Sequence, residues 1–455
     1  MSQTFWPLDA LLARLLAQEE AEPVRPSLPP EALLARLGTL EIPTRGRPEG
    51  EIAEALERLL ELTPATTTPR YFNQLFAGRI PAATAADMLV SFVNGTMHTY
   101  KIAGPMVLVE DRLLRHMAAI VGFTRGEGTF APGGSLSNLL ALAIARGDAV
   151  PGAEEHGTGG ARLTVYSSAL GHYSIAKNAA VLGMGRANVR AIAVDERGRM
   201  RPEALREAIV VDRAAGCTPV LINATAGTTV LGEFDPISAL ADVADELGVW
   251  LHVDAAYGGS LLLSPTSRHL LAGIERADSV TWDAHKLMGV PVTCSVCLLR
   301  EPGLLARTLD VQADYLFQAD APELDPGRRS LQCGRRNDAL KLWAAWQILG
   351  DEGYAHRIER QLALARHAAA QVEADPALTL IQPPASTNVC FFHAKVPAPA
   401  LVEALRAEQR ALVGHATVGE RSVVRLVCAD PEVGEADIEA FFAELRTVAG
   451  ALASA

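Results

Sequence analysis

Two short segments near the middle of the chain carry an acid and a lysine at a spacing that suits pyridine chemistry. The first reads Leu-His-Val-Asp-Ala-Ala-Tyr-Gly-Gly over 251–259, and the second reads Ser-Val-Thr-Trp-Asp-Ala-His-Lys over 279–286. Alone, a strand-ending aspartate is more often a turn residue or a helix cap. Together, Asp254 can keep a pyridine nitrogen protonated and Lys286 can form a Schiff base with an aldehyde. The pair therefore predicts a site for pyridoxal 5'-phosphate.

A glycine-rich turn upstream could hold the phosphate of such a cofactor. Gly-Gly-Ser-Leu-Ser-Asn over 133–138 leads into a segment with a helical pattern over Leu139–Arg146. A turn of this kind that opens a helix offers unpaired backbone N–H groups and the positive end of the helix dipole to an anion. Ser135, Leu136 and Ser137 are thus the expected phosphate-binding residues. An ordinary strand-to-helix turn is the alternative.

Further motifs follow one another in order along the chain from about residue 65. They read Pro-Arg-Tyr-Phe-Asn-Gln-Leu-Phe-Ala-Gly (69–78), Ala-Pro-Gly-Gly-Ser-Leu-Ser-Asn (131–138), Gly-His-Tyr-Ser (171–174), Ala-Thr-Ala-Gly-Thr-Thr-Val-Leu-Gly (224–232) and Leu-Gln-Cys-Gly-Arg-Arg-Asn-Asp (331–338). With the two central segments they resemble the group II pyridoxal phosphate-dependent decarboxylases, in the branch containing cysteine sulfinic acid decarboxylase and glutamate decarboxylase. The resemblance implies a fold type I α/β protein with a mostly parallel central sheet, a helical N-terminal arm and a smaller C-terminal α/β domain.

The same resemblance implies further residues of the cofactor site. His172 would stack on the cofactor ring and approach the substrate carboxylate, so that it joins Lys286 and Asp254 as a catalytic residue; a core histidine with satisfied hydrogen bonds is the alternative. Thr228 would reach the ring oxygen, and Ala256 would pack against the ring. The resemblance also implies two phosphate contacts outside the glycine-rich turn.

Of these two contacts, His285 would lie in the same chain as the lysine. Gly334 aligns with a contact that relatives supply from the neighbouring subunit. The resemblance therefore implies a homodimer with shared active sites. It implies no metal ion.

Two residues outside the cofactor motifs concern the substrate. Arg425, in Ser-Val-Val-Arg-Leu-Val over 422–427, is an unusual charge for an apolar strand unless it is paired. It matches an arginine that binds a substrate carboxylate in acidic amino acid decarboxylases, where the guanidinium fork suits two oxygens; a structural salt bridge is the alternative. Gln74 matches a glutamine that contacts substrate in the same branch.

These matches imply α-decarboxylation of aspartate, cysteine sulfinate or glutamate to the amine and carbon dioxide. Two alternative functions are also consistent with the sequence. The same fold could decarboxylate an aromatic or diamino acid, or the chain could be a cofactor-binding homologue without catalysis.

Three residues depart from the family pattern. Lys101 stands where glutamate and cysteine sulfinate decarboxylases usually carry glutamate, and Asp283 replaces the usual asparagine before the His-Lys pair. Leu324 falls where many relatives have a tyrosine that protonates the substrate Cα, although cysteine sulfinic acid decarboxylases also have leucine there. The departures bear on the substrate pocket, the charge near the phosphate and the identity of the proton donor.

A chain of 455 residues is too long for one compact core. We expect a helical arm for dimerisation over 1–84, a large cofactor-binding domain over 85–342 and a small domain over 343–455. Between about 85 and 340, helix-length segments alternate with short apolar runs at 163–167, 189–194, 219–223, 249–253 and 279–282, which predicts a mostly parallel sheet covered on both faces. In the small domain, the pattern predicts helices over 340–350 and 354–370 and strands near 388–392 and 423–427. Ligands of such sheets bind beyond the carboxyl ends of the strands. In the arm, Asp9 could cap an amphipathic helix.

The composition argues against nucleic acid as a partner and against a membrane-spanning segment. The formal net charge of −12 argues against nucleic acid binding, and no apolar run is long enough to span a membrane. The N-terminal segment lacks the order of a signal peptide, so the cytoplasm is the expected location. The six cysteines are scattered in a way that suggests buried apolar residues rather than a disulfide framework. Cys294 and Cys297 lie in a strand-like run where they would point to opposite faces, so no metal or redox site is expected there.

Overall fold

The computed structural model describes Val24, residues 28–311 and residues 324–454, and the helix expected to begin at Asp9 lies outside these ranges. The helices are α1 (Pro30–Leu37), α2 (Glu49–Leu62), α3 (Pro81–Val93), α4 (Tyr100–Ala103), α5 (Pro105–Val121), α6 (Gly134–Ala149), α7 (Ala153–His156), α8 (Ser174–Val181), α9 (Pro202–Ala214), α10 (Ile237–Leu247), α11 (Leu304–Leu309), α12 (Ala339–Ala374), α13 (Ala398–Ala407) and α14 (Glu435–Ser454). None of those found in the described ranges is long and apolar enough to cross a membrane.

The strands form two sheets. They are β1 (Tyr71–Phe72), β2 (Glu127–Ala131), β3 (Leu163–Ser168), β4 (Val189–Ile192), β5 (Thr218–Thr225), β6 (Trp250–Asp254), β7 (Ser279–Asp283), β8 (Ser295–Leu299), β9 (Leu378–Leu380), β10 (Asn388–His393), β11 (Leu412–Val418) and β12 (Arg421–Val427). The chain divides into two compact units. The large unit comprises Arg79–Arg366 with Gln382–Val389, and the small unit comprises the described residues before Arg79, His367–Ile381 and those from Cys390 onward.

The large unit is built on a seven-stranded sheet of order β2-β8-β7-β6-β5-β3-β4. Strands β4, β3, β5, β6 and β7 run parallel to one another, whereas β8 runs antiparallel to both β7 and β2. Every residue of β3, β7 and β8 is buried, so neither face of these strands reaches solvent. Strands with both faces buried are typical of a sheet that is covered by helices on both sides. The mostly parallel sheet predicted from the sequence is confirmed.

The parallel pairing places the ends of β6 and β7 side by side. Asp254, the last residue of β6, lies opposite Thr281 of β7, so that the segment after β7 leaves the sheet at the same edge as Asp254. The strands expected at 163–167, 189–194, 219–223, 249–253 and 279–282 all occur, with ends within two residues of the prediction.

The small unit contains a five-stranded sheet of order β1-β11-β12-β10-β9. Its short strand β1 pairs in parallel with β11, so a segment from the expected N-terminal arm joins a sheet made of C-terminal strands. Aromatic rings pack beside it: Phe72 contacts Phe441 edge to face at 5.3 Å between ring centroids. The strands expected near 388–392 and 423–427 are confirmed. The helices expected over 340–350 and 354–370 form α12, which is interrupted at Gly350, where φ is 61°.

Candidate active site

Asp254 ends β6 as a buried carboxylate that already accepts two hydrogen bonds. The amide nitrogen Nδ2 of Asn138 donates to its Oδ2 at 2.8 Å, and the backbone N–H of Ala256 donates to its Oδ1 at 3.2 Å. Only 6% of the residue is exposed. Donors on both oxygens hold the carboxylate in one orientation and stabilise its negative charge. This arrangement suits an acceptor for a ring N–H group.

Lys286 lies in the connection between β7 and β8, at the sheet edge that Asp254 also occupies. Its Nζ is 3.3 Å from Oδ2 of Asp283, and about a fifth of its side chain is exposed. A lysine with a partly solvated amine and one carboxylate neighbour can exchange that partner for a covalent bond to an aldehyde. The placement of Asp254 and Lys286 agrees with the sequence prediction.

Asp283 is a buried carboxylate, and only its Oδ2 is paired with another side chain. Its Oδ1 has no hydrogen-bond partner among the residues that the structure describes. Its Oδ2 approaches the start of α6 so closely that a Cβ on Gly134 would lie 2.7 Å away. The carboxylate of Asp283, which the sequence predicted to lie near the phosphate, is therefore close to the start of α6 and forms an ion pair with Lys286.

The start of α6 provides free donors for a phosphate. Gly133 has φ of 101°, a left-handed conformation that favours glycine, and the space beside its Cα is open. Within the described ranges, the backbone N–H groups of Gly134 and Ser135 have no acceptor, whereas those of Leu136 and Ser137 donate to Gly133 O. Unpaired N–H groups at the start of a sixteen-residue helix form an anion site.

The predicted phosphate residues thus differ in what they can offer. Ser135 retains a free backbone N–H. The hydroxyl of Ser137 is fully buried and is hydrogen-bonded to the Ser295 hydroxyl at 2.8 Å, which ties α6 to β8. His285 is anchored through Nδ1, which lies 2.9 Å from Cys294 O and 3.1 Å from Cys294 N, and its Nε2 is 3.7 Å from Asp283 Oδ2.

His172 follows β3 and is electrostatically coupled to the same site. Burial lowers the pKa of His172, while the negative charge of Asp254 raises it and the positive charge of Lys286 lowers it. The ring is consequently neutral at neutral pH. Its Nδ1 is 2.8 Å from the Ser174 hydroxyl. A neutral imidazole with one nitrogen occupied in this way can present its flat face and its second nitrogen to a bound ring or substrate.

Two smaller residues complete the cofactor prediction. Thr228 is buried, and its Oγ1 accepts the backbone N–H of Glu233 at 3.1 Å, so that its hydroxyl hydrogen remains available. Ala256 lies two residues after Asp254 and is also buried. Donors for a phosphate, an amine for an aldehyde and a carboxylate for a ring nitrogen therefore occur in one unit, and the residues present fit pyridoxal phosphate.

Sequence reasoning gave no role to Asn138 or His252, and both contact this site. Asn138 bonds Asp254, and His252 Nε2 lies 3.1 Å from Asn138 Oδ1. The pattern that could have found His252 is strand alternation, because residues two apart in β6 point to the same face. An unexplained polar residue two positions before Asp254 is thus expected to lie near the same partners.

The predicted substrate residues belong to the small unit. Arg425 lies on β12, and its Nη2 donates to Asn73 O at 2.6 Å. That carbonyl directly precedes Gln74, which is exposed. Arg425 and the Gln74 segment are therefore neighbours, although 352 positions separate Arg425 from Asn73.

The structure also describes Gly334, Lys101 and Leu324. Gly334 is exposed, with open space beside its Cα, and Lys101 is also exposed. Leu324 is partly buried and is the first described residue after the gap at 312–323.

Comparison with known proteins identifies the family. Residues 30–394 match the pyridoxal-dependent decarboxylase conserved domain. Cysteine sulfinic acid decarboxylase from Mus musculus is 40% identical over 438 residues, which cover 91% of this chain and 88% of the mouse protein. An acidic amino acid decarboxylase from Bos taurus is 36% identical over 440 residues, which cover 92% and 84%. The crystal structure of mouse CSAD matches with a TM-score of 0.92 at 38% identity and covers 97% of this chain and 98% of that one. This chain belongs to the pyridoxal-dependent decarboxylase family, and pyridoxal phosphate is its cofactor.

Proposed function

We propose that the protein removes the α-carboxyl group of a small acidic L-amino acid: aspartate, cysteine sulfinate or glutamate. The observation that carries the choice of substrate is the position of Arg425 beside the Gln74 segment. A forked cation next to a carboxamide can bind an oxygen acid through two hydrogen bonds. The similarity to enzymes named for cysteine sulfinate and for acidic amino acids supports the same choice.

In this proposal each residue of the large unit has a separate task. When bound, pyridoxal phosphate supplies a ring that accepts the electron pair left on Cα as carbon dioxide departs. Lys286 would hold the cofactor covalently at its aldehyde through Nζ. Asp254 keeps the proton on the ring nitrogen. The His172 ring would pack against the bound cofactor and would offer Nε2 to the substrate carboxylate.

A panel of L-amino acids, scored by carbon dioxide release and by the amine formed, tests the proposed substrate class. We expect aspartate, cysteine sulfinate or glutamate to be turned over fastest. Faster turnover of tyrosine, tryptophan or 2,4-diaminobutyrate would overturn the acidic assignment and leave decarboxylation standing. Colourless protein that releases no carbon dioxide from any member of the panel would support a homologue without catalysis.

Arg425→Met is expected to raise KM and to lower kcat/KM for the preferred acidic substrate, because the variant cannot form the charge pair. The loss should amount to about 2–5 kcal/mol of transition-state binding. Arg421→Met is the matched control, since Arg421 lies on the same strand over the Phe392 ring and has no proposed contact with substrate. An unchanged kcat/KM in Arg425→Met would contradict the proposed role.

We also propose a homodimer in which Gly334 reaches the partner's cofactor site. Leu89 and Val93, one turn apart on α3, are exposed by 59% and 67%, and a second copy of the chain could cover them. The Gly334 segment is hydrogen-bonded to the residues that follow α3. Arg335 N–H donates to Thr96 Oγ1, and Met97 N–H donates to Arg335 O. Sedimentation of the cofactor-loaded enzyme should give a dimer. A fully active monomer would contradict the shared site.

The cytoplasmic location expected from the sequence stays a prediction, and so do the domain limits at 84/85 and 342/343. Cell fractionation tests the cytoplasmic location.

A further inference from the structure

Behind Asp254, buried polar side chains from four segments form a continuous hydrogen-bond network. Asn138 Nδ2 donates to Asp254 Oδ2 at 2.8 Å and to Ser174 Oγ at 3.1 Å. On the other side, Asn138 Oδ1 is 3.1 Å from His252 Nε2, and His252 Nδ1 is 2.8 Å from Ser279 Oγ. Each residue of the network behind Asp254 is at most 2% exposed. Water cannot substitute for these partners easily, so the direction of each bond matters.

The direction is fixed at the Asp254 end and is compatible with the bonds at the Ser279 end. The indole N–H of Trp250 can only donate, and it donates to Ser279 Oγ at 2.8 Å, so the Ser279 hydroxyl hydrogen is free for His252 Nδ1. Asp254 carries a carboxylate that only accepts, so the NH2 group of Asn138 must face it and Asn138 Oδ1 must face His252. The Asn138 end therefore requires His252 to carry its hydrogen on Nε2, and the Ser279 hydroxyl can donate to Nδ1 in that arrangement.

The charge state of His252 agrees with this direction. Burial lowers the pKa of His252 to about 4, so the ring is neutral and has one donor and one acceptor nitrogen. The Thr281 hydroxyl approaches Nε2 at the longer distance of 3.5 Å.

A branch of the network reaches His172. Because Ser174 Oγ accepts from Asn138, its own hydrogen can be donated to His172 Nδ1 at 2.8 Å. The backbone N–H of Ser174 also points to Nδ1, at 3.3 Å. The backbone N–H can only donate, so Nδ1 is the acceptor, which leaves the hydrogen of the neutral ring on Nε2.

We propose that Asn138 is a positioning residue that joins Asp254 and His172 in one directed network, orienting the Asp254 carboxylate and holding His172 as the Nε2–H tautomer. The inference rests on the proposed roles of Asp254 and His172 in the cofactor site. Its consequence is that His172 offers a substrate carboxylate a hydrogen-bond donor. With the tautomer reversed, Nε2 would present a lone pair and repel that carboxylate.

The tautomer can be measured directly by nitrogen NMR of the cofactor-loaded enzyme labelled with 15N-histidine. Loss of one set of signals in His172→Gln assigns the ring. We expect Nε2 to be protonated and Nδ1 to be unprotonated at neutral pH. A hydrogen on Nδ1 in the unmodified enzyme would overturn the proposal, whatever the variants do.

Variants then test the role of Asn138. Asn138→Leu keeps a similar volume but removes every bond of the amide. We expect His172 to populate both tautomers, the ring-nitrogen proton of the cofactor to be lost at lower pH in an absorption titration, and kcat to fall roughly 10–100-fold with little change in KM. Ser174→Ala, which breaks only the branch, should raise the Nδ1–H fraction of His172 and leave the cofactor titration unchanged, and it carries the test if Asn138→Leu does not fold.

Thr164→Val is the matched control. It deletes a hydroxyl of equal burial in β3, whose 2.8 Å bond is to Tyr166 OH rather than to the network. It should change neither the tautomer nor the titration. If Asn138→Leu and Ser174→Ala behave like Thr164→Val, the proposal is wrong. Borohydride reduction of the same preparations separates this failure from another: an adduct absent from Lys286 would refute the assigned cofactor site itself.

Discussion

Lys286→Ala is expected to abolish catalytic decarboxylation and the borohydride-reducible link between chain and cofactor. The variant lacks the amine that holds the aldehyde, while the free N–H groups at the start of α6 and the Asp254 carboxylate remain. Cofactor should therefore still bind, but more weakly and without the link. We expect the rate to fall by roughly three to six orders of magnitude, measured as amine formed per mole of cofactor-loaded protein.

Lys177→Ala is the control for this substitution. Lys177 lies on α8, three residues after the start of the helix, with Nζ over the Tyr173 ring at 4.9 Å from its centroid. Its removal should leave the reducible link intact. Recovery of the reduced cofactor on a peptide that lacks Lys286 would refute the assignment of the lysine.

Asp254→Ala is expected to lower the decarboxylation rate by roughly 10²–10³-fold and to weaken cofactor binding. The physical reason is the loss of a charged acceptor whose two existing donors, Asn138 and Ala256 N–H, already hold it in position. Without it the ring nitrogen loses its proton more readily and withdraws electrons less well. The rate and the pH titration of the cofactor absorption check the expectation.

Asp254→Asn distinguishes charge from shape. The amide keeps the volume of the side chain but not its charge, so we expect most of the rate loss of Asp254→Ala to persist. Near-normal turnover in either variant would show that Asp254 serves only to end its strand.

The core of the site was predictable because one topological rule governs it. The carboxyl ends of neighbouring parallel strands meet at one sheet edge, so Asp254 and the lysine after β7 had to approach each other once both strands were recognised. The same rule does not reach Asn138, which lies 116 positions before Asp254. Asn138 lies on a helix that packs against the sheet, and the periodicity of a helix sequence does not indicate which strand residue a polar side chain will contact.

Charges within the core were harder to anticipate. The ion pair of Arg335 with Glu110, with side chains 3% and 5% exposed, joins residues 225 positions apart, and neither sequence neighbourhood indicates it. Asp283 was expected to place an anion near the phosphate. The sequence did not indicate that Lys286 would lie 3.3 Å from that anion. Such pairs depend on how distant segments dock, which local patterns do not encode.

The residues around Asp254 are widely separated in sequence, so the cofactor site forms only after long-range strand pairing during folding. Asn138, His172, Asp254 and Lys286 come together only when β3, β5, β6 and β7 have paired, and pairings of this kind close long loops and form late in folding. Unfolded chain therefore has no cofactor site. Because the cofactor binds only the native state, free cofactor at a hundred times its Kd adds about 2.7 kcal/mol to the free energy of unfolding. The concentration of pyridoxal phosphate would then set the stability of the folded protein in addition to its rate of turnover.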